Sequence, residues 1–217
     1  MRIERLAGTG WLALVAGICL HAGEAGPAVD LRVPVSMDYQ GSGDLRAPSL
    51  ATVIASKIFR RIGVTLVWVD SGPCPPDGIR ISLTGNTPAT LQPGALAYAL
   101  PYEGTHIRVF RDRIEANQPA LVPHLLAHVL VHEIIHILQG LNWHSGRGVM
   151  KVHWNGADFA QMVWSELPIA QEDIDLVHLG MEKRARLTAV HTSQNSRVTE
   201  GESAALIPSG SIAPGSR

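Results

Sequence analysis

The chain has 217 residues, 46% of them hydrophobic and only 17% charged, which suits one well-packed domain and leaves too little length for two large ones. With 18 basic and 19 acidic residues its formal net charge is −1, which argues against nucleic acid or an anionic membrane as the main partner. Two cysteines exclude a disulfide framework, whereas four of the ten histidines fall between positions 124 and 136, and that bunching marks where function is to be sought.

The N-terminus combines a basic start (Arg2, Arg5), a short apolar run over 11–20 and small residues around Ala22 to Ala25, which predicts a secretory signal peptide over 1–25, cleaved after Ala22 or Ala25. A span of about 20 apolar residues would be needed to cross a bilayer. Export to a periplasm or to the outside is therefore expected, leaving Cys74 as an unpaired loop cysteine. From Thr188 onward Ser, Thr, Gly and Pro dominate without periodicity, so residues 188–217 are predicted to be a disordered tail. One domain over 26–187 remains, with a monomer as the default expectation.

In chain order, residues 29–39 alternate apolar and polar and predict a strand. Pro48 opens a helix with Leu50, Ile54, Ile58 and Ile62 on one stripe, closed by Gly63. Residues 64–69 form a second, β-branched strand, and "IRISLTG" a third after the Pro/Gly loop that holds Cys74. "ALAYAL" is a short strand and "THIRVFRDRI" a fifth. Pro119 and Pro123 then introduce a helix running to Gly140, and residues 172–186 predict another. The plan is α+β, with helices packed on one twisted sheet.

The helix before Gly140 reads "LLAHVLVHEIIHIL" and is apolar nearly all round, so it is expected to be buried. It is long enough to cross a bilayer, but no other stretch could build a bundle around it. Burying Glu133 and several imidazoles without partners would cost roughly 2–7 kcal/mol for each group. His132 and His136 lie one turn apart on one face, with Glu133 beside that face, which is the H-E-x-x-H arrangement for two metal ligands and a base. A zinc hydrolase also needs a third protein ligand and an open position for water. His144, just past the turn, is the leading choice, with His153 and Glu166 as competitors. His124 and His128 rotate off the metal face and are expected in the core or behind the ligands. Trp143, Trp154 and Trp164 are expected to pack, and Arg60 and Arg61 to form a solvated helix end.

The stretch "HEIIHILQGLNWHSGRGVMKVHW" resembles the metzincin metalloproteases, most closely their matrixin branch, whose pattern is H-E-x-x-H-x-x-G-x-x-H followed by a methionine turn. "ALAYALPYEGTHIRVF" looks like the matrixin edge strand and its successor, and "IAQEDIDLVHLGM" like the C-terminal helix. The resemblance implies a twisted mixed sheet of about five strands, an active-site helix, a Met-turn at Met150 and a C-terminal helix. It also implies Zn2+ on His132, His136 and His144, Glu133 as general base, and Ala97, Tyr98, Ala99 and Leu100 as an edge that takes an extended peptide. Gly140 comes one residue later than the family spacing and His144 two. "RVFRDRI" replaces the family's acidic cluster, so structural calcium and a second zinc are not expected, nor is a removable pro-segment.

Two functions follow. One is an exported zinc endopeptidase acting on peptide or protein substrates, without nucleic acid and without a membrane once the signal is removed. The other is a non-catalytic secreted binding domain stabilised by zinc. Glu133 favours the enzyme, because a structural zinc needs no base.

Overall fold

The computed structural model describes residues 31–40, 45–91, 93–101 and 103–204. The expected signal peptide lies outside them, as does the end of the tail.

Strands β1 (Arg32–Gln40), β2 (Thr65–Trp68), β3 (Ile79–Thr84), β4 (Ala97–Ala99) and β5 (His106–Phe110) form one sheet in the order β2-β1-β3-β5-β4. β1 runs parallel to β2 and β3, β3 runs parallel to β5, and β4 closes one edge antiparallel to β5. Successive side chains on a strand point to opposite faces. Val33, Val35, Ile79, Ile81, Leu83, Ile107 and Val109 are accordingly buried together, while Arg80, Ser82 and Arg108 between them are not. Helices α1 (Arg46–Arg60) and α3 (Val122–Gln139) join those strand residues in one core. This is the mixed five-stranded α+β plan expected from the sequence. "RDRI" departs from it: β5 stops at Phe110 and Arg111–Asn117 turns into helix α2.

α1 is the crossover between the parallel strands β1 and β2. Its buried face is Ala51, Ala55, Ile58 and Phe59, with Ile62 just beyond, whereas Leu50 is 45% exposed. The stripe predicted through Leu50 and Ile54 is thus rotated by about one residue. Small alanines let α1 approach closely, and Phe59 fills more of the core than Leu50 could. Cys74 lies half-buried in its loop, with Sγ 3.8 Å from the Ile79 carbonyl oxygen.

α3 is entered through a 3-10 turn, Pro119–Leu121, and buried on almost every side, which explains why its sequence is apolar all round. Its length and hydropathy would suit a membrane span, but 78% of that stretch is buried inside the fold. Gly140 ends it in the left-handed region, φ 66°, and donates its N–H to the His136 carbonyl at 3.0 Å. Glycine takes that conformation without Cβ strain.

Helix α4 (Gly156–Trp164) escapes the sequence reading, although Asn155 and Asp158 form a reciprocal capping box at its start. Only nine residues long, it gives too brief a periodic signal. Helix α5 (Gln171–Ala204) extends well past Arg186. The stretch from Thr188 to Ala204, expected as disordered tail, is therefore helical.

α5 crosses α3 at Gly180, where a Cβ would stand 1.8 Å from the Leu138 carbonyl oxygen. Gly180→Ala is expected to push the helices apart and to destabilise the protein by about 1–3 kcal/mol, read as a lowered Tm. An unchanged Tm would show that the helices do not meet so closely.

Candidate metal centre

α3 carries His132 and His136 four residues apart, so both rings leave the same side of the helix one turn apart. Their orientations are fixed by backbone. The His132 Nδ1–H donates to the Val149 carbonyl at 2.9 Å, and the His136 Nδ1–H donates to the Leu141 carbonyl at 3.1 Å. A carbonyl only accepts, so in each ring the proton sits on Nδ1 and Nε2 presents a bare lone pair.

His144 brings its own Nε2 to the same point. The three Nε2 atoms are 3.1, 3.2 and 3.3 Å apart. A tetrahedral ion about 2.0–2.1 Å from each nitrogen would set them about 3.3–3.4 Å apart. At least two lone pairs aimed at one small volume repel unless positive charge lies between them. Protons are a poor answer: burial brings His132 down to about 3 and His136 down to about 4, with the neighbouring imidazoles adding to the effect. Burial lowers His144 as well, opposed by the Asp173 carboxylate. Among the described residues these three form the one group of at least three potential ligands converging on a common point. The donor set fits a divalent cation.

Of the two extra residues in the spacing, one lengthens α3 before Gly140 and the other falls in the loop after it. Gly140 turns the chain, Leu141 stays close enough to hold His136, and Asn142 and Trp143 span the exposed loop before His144. Distant segments then fix the ligand. Ser145 donates its hydroxyl to Asp173, a fully buried carboxylate in the first turn of α5. Gln139 donates to that carboxylate at 3.4 Å, and Arg147 binds Glu172 through both carboxylate oxygens at 2.8 and 3.0 Å. The start of α5 thereby grips the residues that follow His144. Asp173 is the site residue that sequence reasoning missed; its signal was a pair of acids opening a helix.

Glu133 is buried, and burial raises it to about 8, opposed by a hydrogen bond from the Ala99 backbone N–H. Ala99 belongs to the edge strand. Leu100 N–H bonds the His106 carbonyl and Phe110 N–H bonds Leu96, so the alternating ladder turns the Ala97 and Ala99 backbone outward from β5. The Tyr98 ring lies 5.9 Å from both the Arg108 guanidinium and the Phe110 ring. Leu100 sits just past the strand. The edge is present as expected, and Glu133 already holds one of its amides.

Met150 is fully buried, in a 3-10 turn, Gly148–Met150, directly after the carbonyl that orients His132. His153 is exposed and outside the converging group, although its charge is felt at His144. Glu166 is engaged elsewhere, 2.7 Å from both Lys57 and Arg61. Partial burial alone would raise it, but those bonds bring it to about 2. Arg61 thus ties α1 to the loop before α5 and is more than a solvated helix end. Of the three tryptophans expected to pack, only Trp154 does; Trp143 is 52% and Trp164 89% exposed.

No family model matches the chain, and no curated protein matches it. Among solved structures its fold is similar to the crystal structure of archaemetzincin from Methanopyrus kandleri, with a TM-score of 0.51 and 14% identity. The match covers 72% of this chain and 99% of that one. The metzincin-like fold expected from the motif is therefore present, and the matrixin branch in particular gains no support.

Asp173→Ala is expected to release Ser145 and the loop that carries His144, lowering divalent-metal affinity about tenfold in a chelator competition. Arg186→Ala, on an exposed part of α5 where it pairs with Glu182, should leave that affinity unchanged. Equal affinities for wild type and Asp173→Ala would show that the buried acid does not hold the ligand.

Proposed function

We propose that this protein is an exported zinc-dependent endopeptidase. The observation that carries the reading is the convergence of the His132, His136 and His144 Nε2 atoms, with the buried Glu133 next to His132 on the same helix. Imidazole nitrogens suit zinc, and a purely structural zinc commonly closes its fourth position with another Cys or His, whereas three histidines leave one open. The archaemetzincin-like fold supports the same class.

When bound on the three histidines, zinc would polarise a scissile carbonyl and make water a better nucleophile near neutral pH. The chain's own part falls to Glu133. A carboxylate held in an apolar surround has a raised proton affinity, and a cation on the neighbouring rings would lower it again. It is thereby poised to take a proton from water and return it to the leaving amine. The Ala99 amide fixes one of its oxygens and so sets the direction of the other. Ala97, Tyr98, Ala99 and Leu100 offer an extended polypeptide an edge to pair with, which brings main-chain recognition next to the acid–base group. Export rests on the basic, apolar and small-residue pattern of residues 1–25.

A zinc-stapled binding domain is the second reading, favoured by the Ala99 bond that already occupies Glu133. One experiment separates the two. Residues 26–217 are expressed, bound metal is measured, and hydrolysis of a peptide library is followed. The wild type is expected to carry about one zinc and to cleave within peptides. Glu133→Ala should keep the zinc and lose roughly 100-fold or more of the rate, and His136→Ala should lose the metal. A zinc-loaded wild type that cleaves nothing would favour the binding domain.

A further inference from the structure

His128 lies one helical turn before His132, fully buried and without a place among the converging nitrogens. Its Nδ1–H donates to the His124 carbonyl at 2.7 Å, which leaves Nε2 as an acceptor. The Leu167 backbone N–H donates to that Nε2 at 3.0 Å. Leu167 is followed by Pro168, whose carbonyl accepts the Val149 N–H at 2.9 Å. On the other side of the same peptide segment, the Val149 carbonyl accepts the His132 Nδ1–H at 2.9 Å. The path leaves α3 at His128 and returns to α3 at His132.

Each joint in this circuit is restricted. Proline has a fixed φ and no N–H, and it confines the residue before it to extended backbone. The Leu167 N–H is therefore the one backbone donor with which the Leu167–Pro168 pair can be anchored. The opposite joint needs glycine: Gly148 has φ 63°, and a Cβ there would stand 2.0 Å from the Pro168 oxygen. The Trp154 ring stands edge-on to both His128 and His132, with centroids 6.4 and 5.9 Å away. Burial lowers the His128 pKa, which keeps its acceptor lone pair available.

We propose that His128 is a positioning residue for the metal ligand His132, acting through the Leu167–Pro168 segment and the Val149 peptide. It rests on the reading of His132, His136 and His144 as a metal centre. The Nδ1 partner of a ligating histidine sets the ring's direction and basicity. Removing the acceptor at His128 would strand the buried Leu167 N–H, let Pro168 shift, and loosen the carbonyl that His132 needs.

The test compares His128→Leu, which matches bulk without an acceptor, with His128→Gln, whose amide oxygen can replace Nε2. Val177→Ala, a buried core change on α5, controls for lost stability. Zinc affinity is measured by competition with a chromophoric chelator, the cobalt-substituted site by its d–d absorption, and the apo protein by thermal unfolding. His128→Leu is expected to weaken zinc binding about tenfold and to alter the cobalt bands. His128→Gln should return to within about threefold of wild type, and Val177→Ala should lower the apo Tm while leaving the affinity in place. Wild-type affinity and cobalt bands in His128→Leu would overturn the proposal, as would an affinity loss in Val177→Ala equal to that in His128→Leu. If His128→Leu does not fold, Gly148→Ala presses on the Pro168 oxygen with His128 intact; about tenfold weaker zinc supports the circuit, and unchanged affinity overturns it. A wild type that binds neither zinc nor cobalt would instead sink the metal centre itself.

Discussion

Lone pairs on neighbouring imidazoles, turned toward one another in a water-poor setting, are the constraint around which this molecule is organised. The Val149 and Leu141 carbonyls force the protons of His132 and His136 onto Nδ1, and burial discourages protonation at Nε2. What remains is repulsion that a divalent cation relieves. Such a cluster persists only where the surroundings hold it in place, and here they do so from three directions: the apolar helix α3, the Gly148–Met150 turn and the first turn of α5.

Most of the domain can be understood as the support for that arrangement. The parallel strands and α1 give α3 an apolar bed, so the helix can bury thirteen of its eighteen residues besides His136 and still expose the metal-facing nitrogens to one another. Close approach is achieved with small residues where backbones meet: Gly180 under Leu138 and Gly148 under Pro168. Charge is kept out of the core except where it is held. Asp173 meets Ser145 and Gln139, Glu166 meets Lys57 and Arg61, and Glu133 meets the edge-strand amide.

The longer spacing to the third histidine shows how little a motif depends on residue counts once the local geometry can adjust. The left-handed Gly140 ends the helix a residue late, yet Leu141 still reaches back to His136, and an exposed stretch takes up the remaining length. Within this chain, the point of convergence is held while the path to it is free to lengthen.

Local periodicity was enough to place His132, Glu133 and His136, because a turn of helix relates them whatever the tertiary context. Alternation likewise located the first and fifth strands and β-branched residues the second, and the Pro and Gly punctuation bounded α3. Features that depend on contacts across the chain were not legible in this way. Which face of α1 is buried follows from how Ala51, Ala55 and Phe59 fit the neighbouring layer. The helix through Thr188 to Ala204 has no apolar stripe to announce it, and α4 is too short to show one. Trp143 and Trp164 look like core residues by type and lie in solvent. That His144 rather than Glu166 meets the other two rings depends on Asp173, 28 residues after Ser145, and on Lys57 of α1 and Arg61 just past its end, which hold Glu166. A sequence declares the chemistry carried on one continuous helix; where a distant ligand and its anchor come to rest is decided by packing, since only the folded backbone brings their atoms within bonding distance.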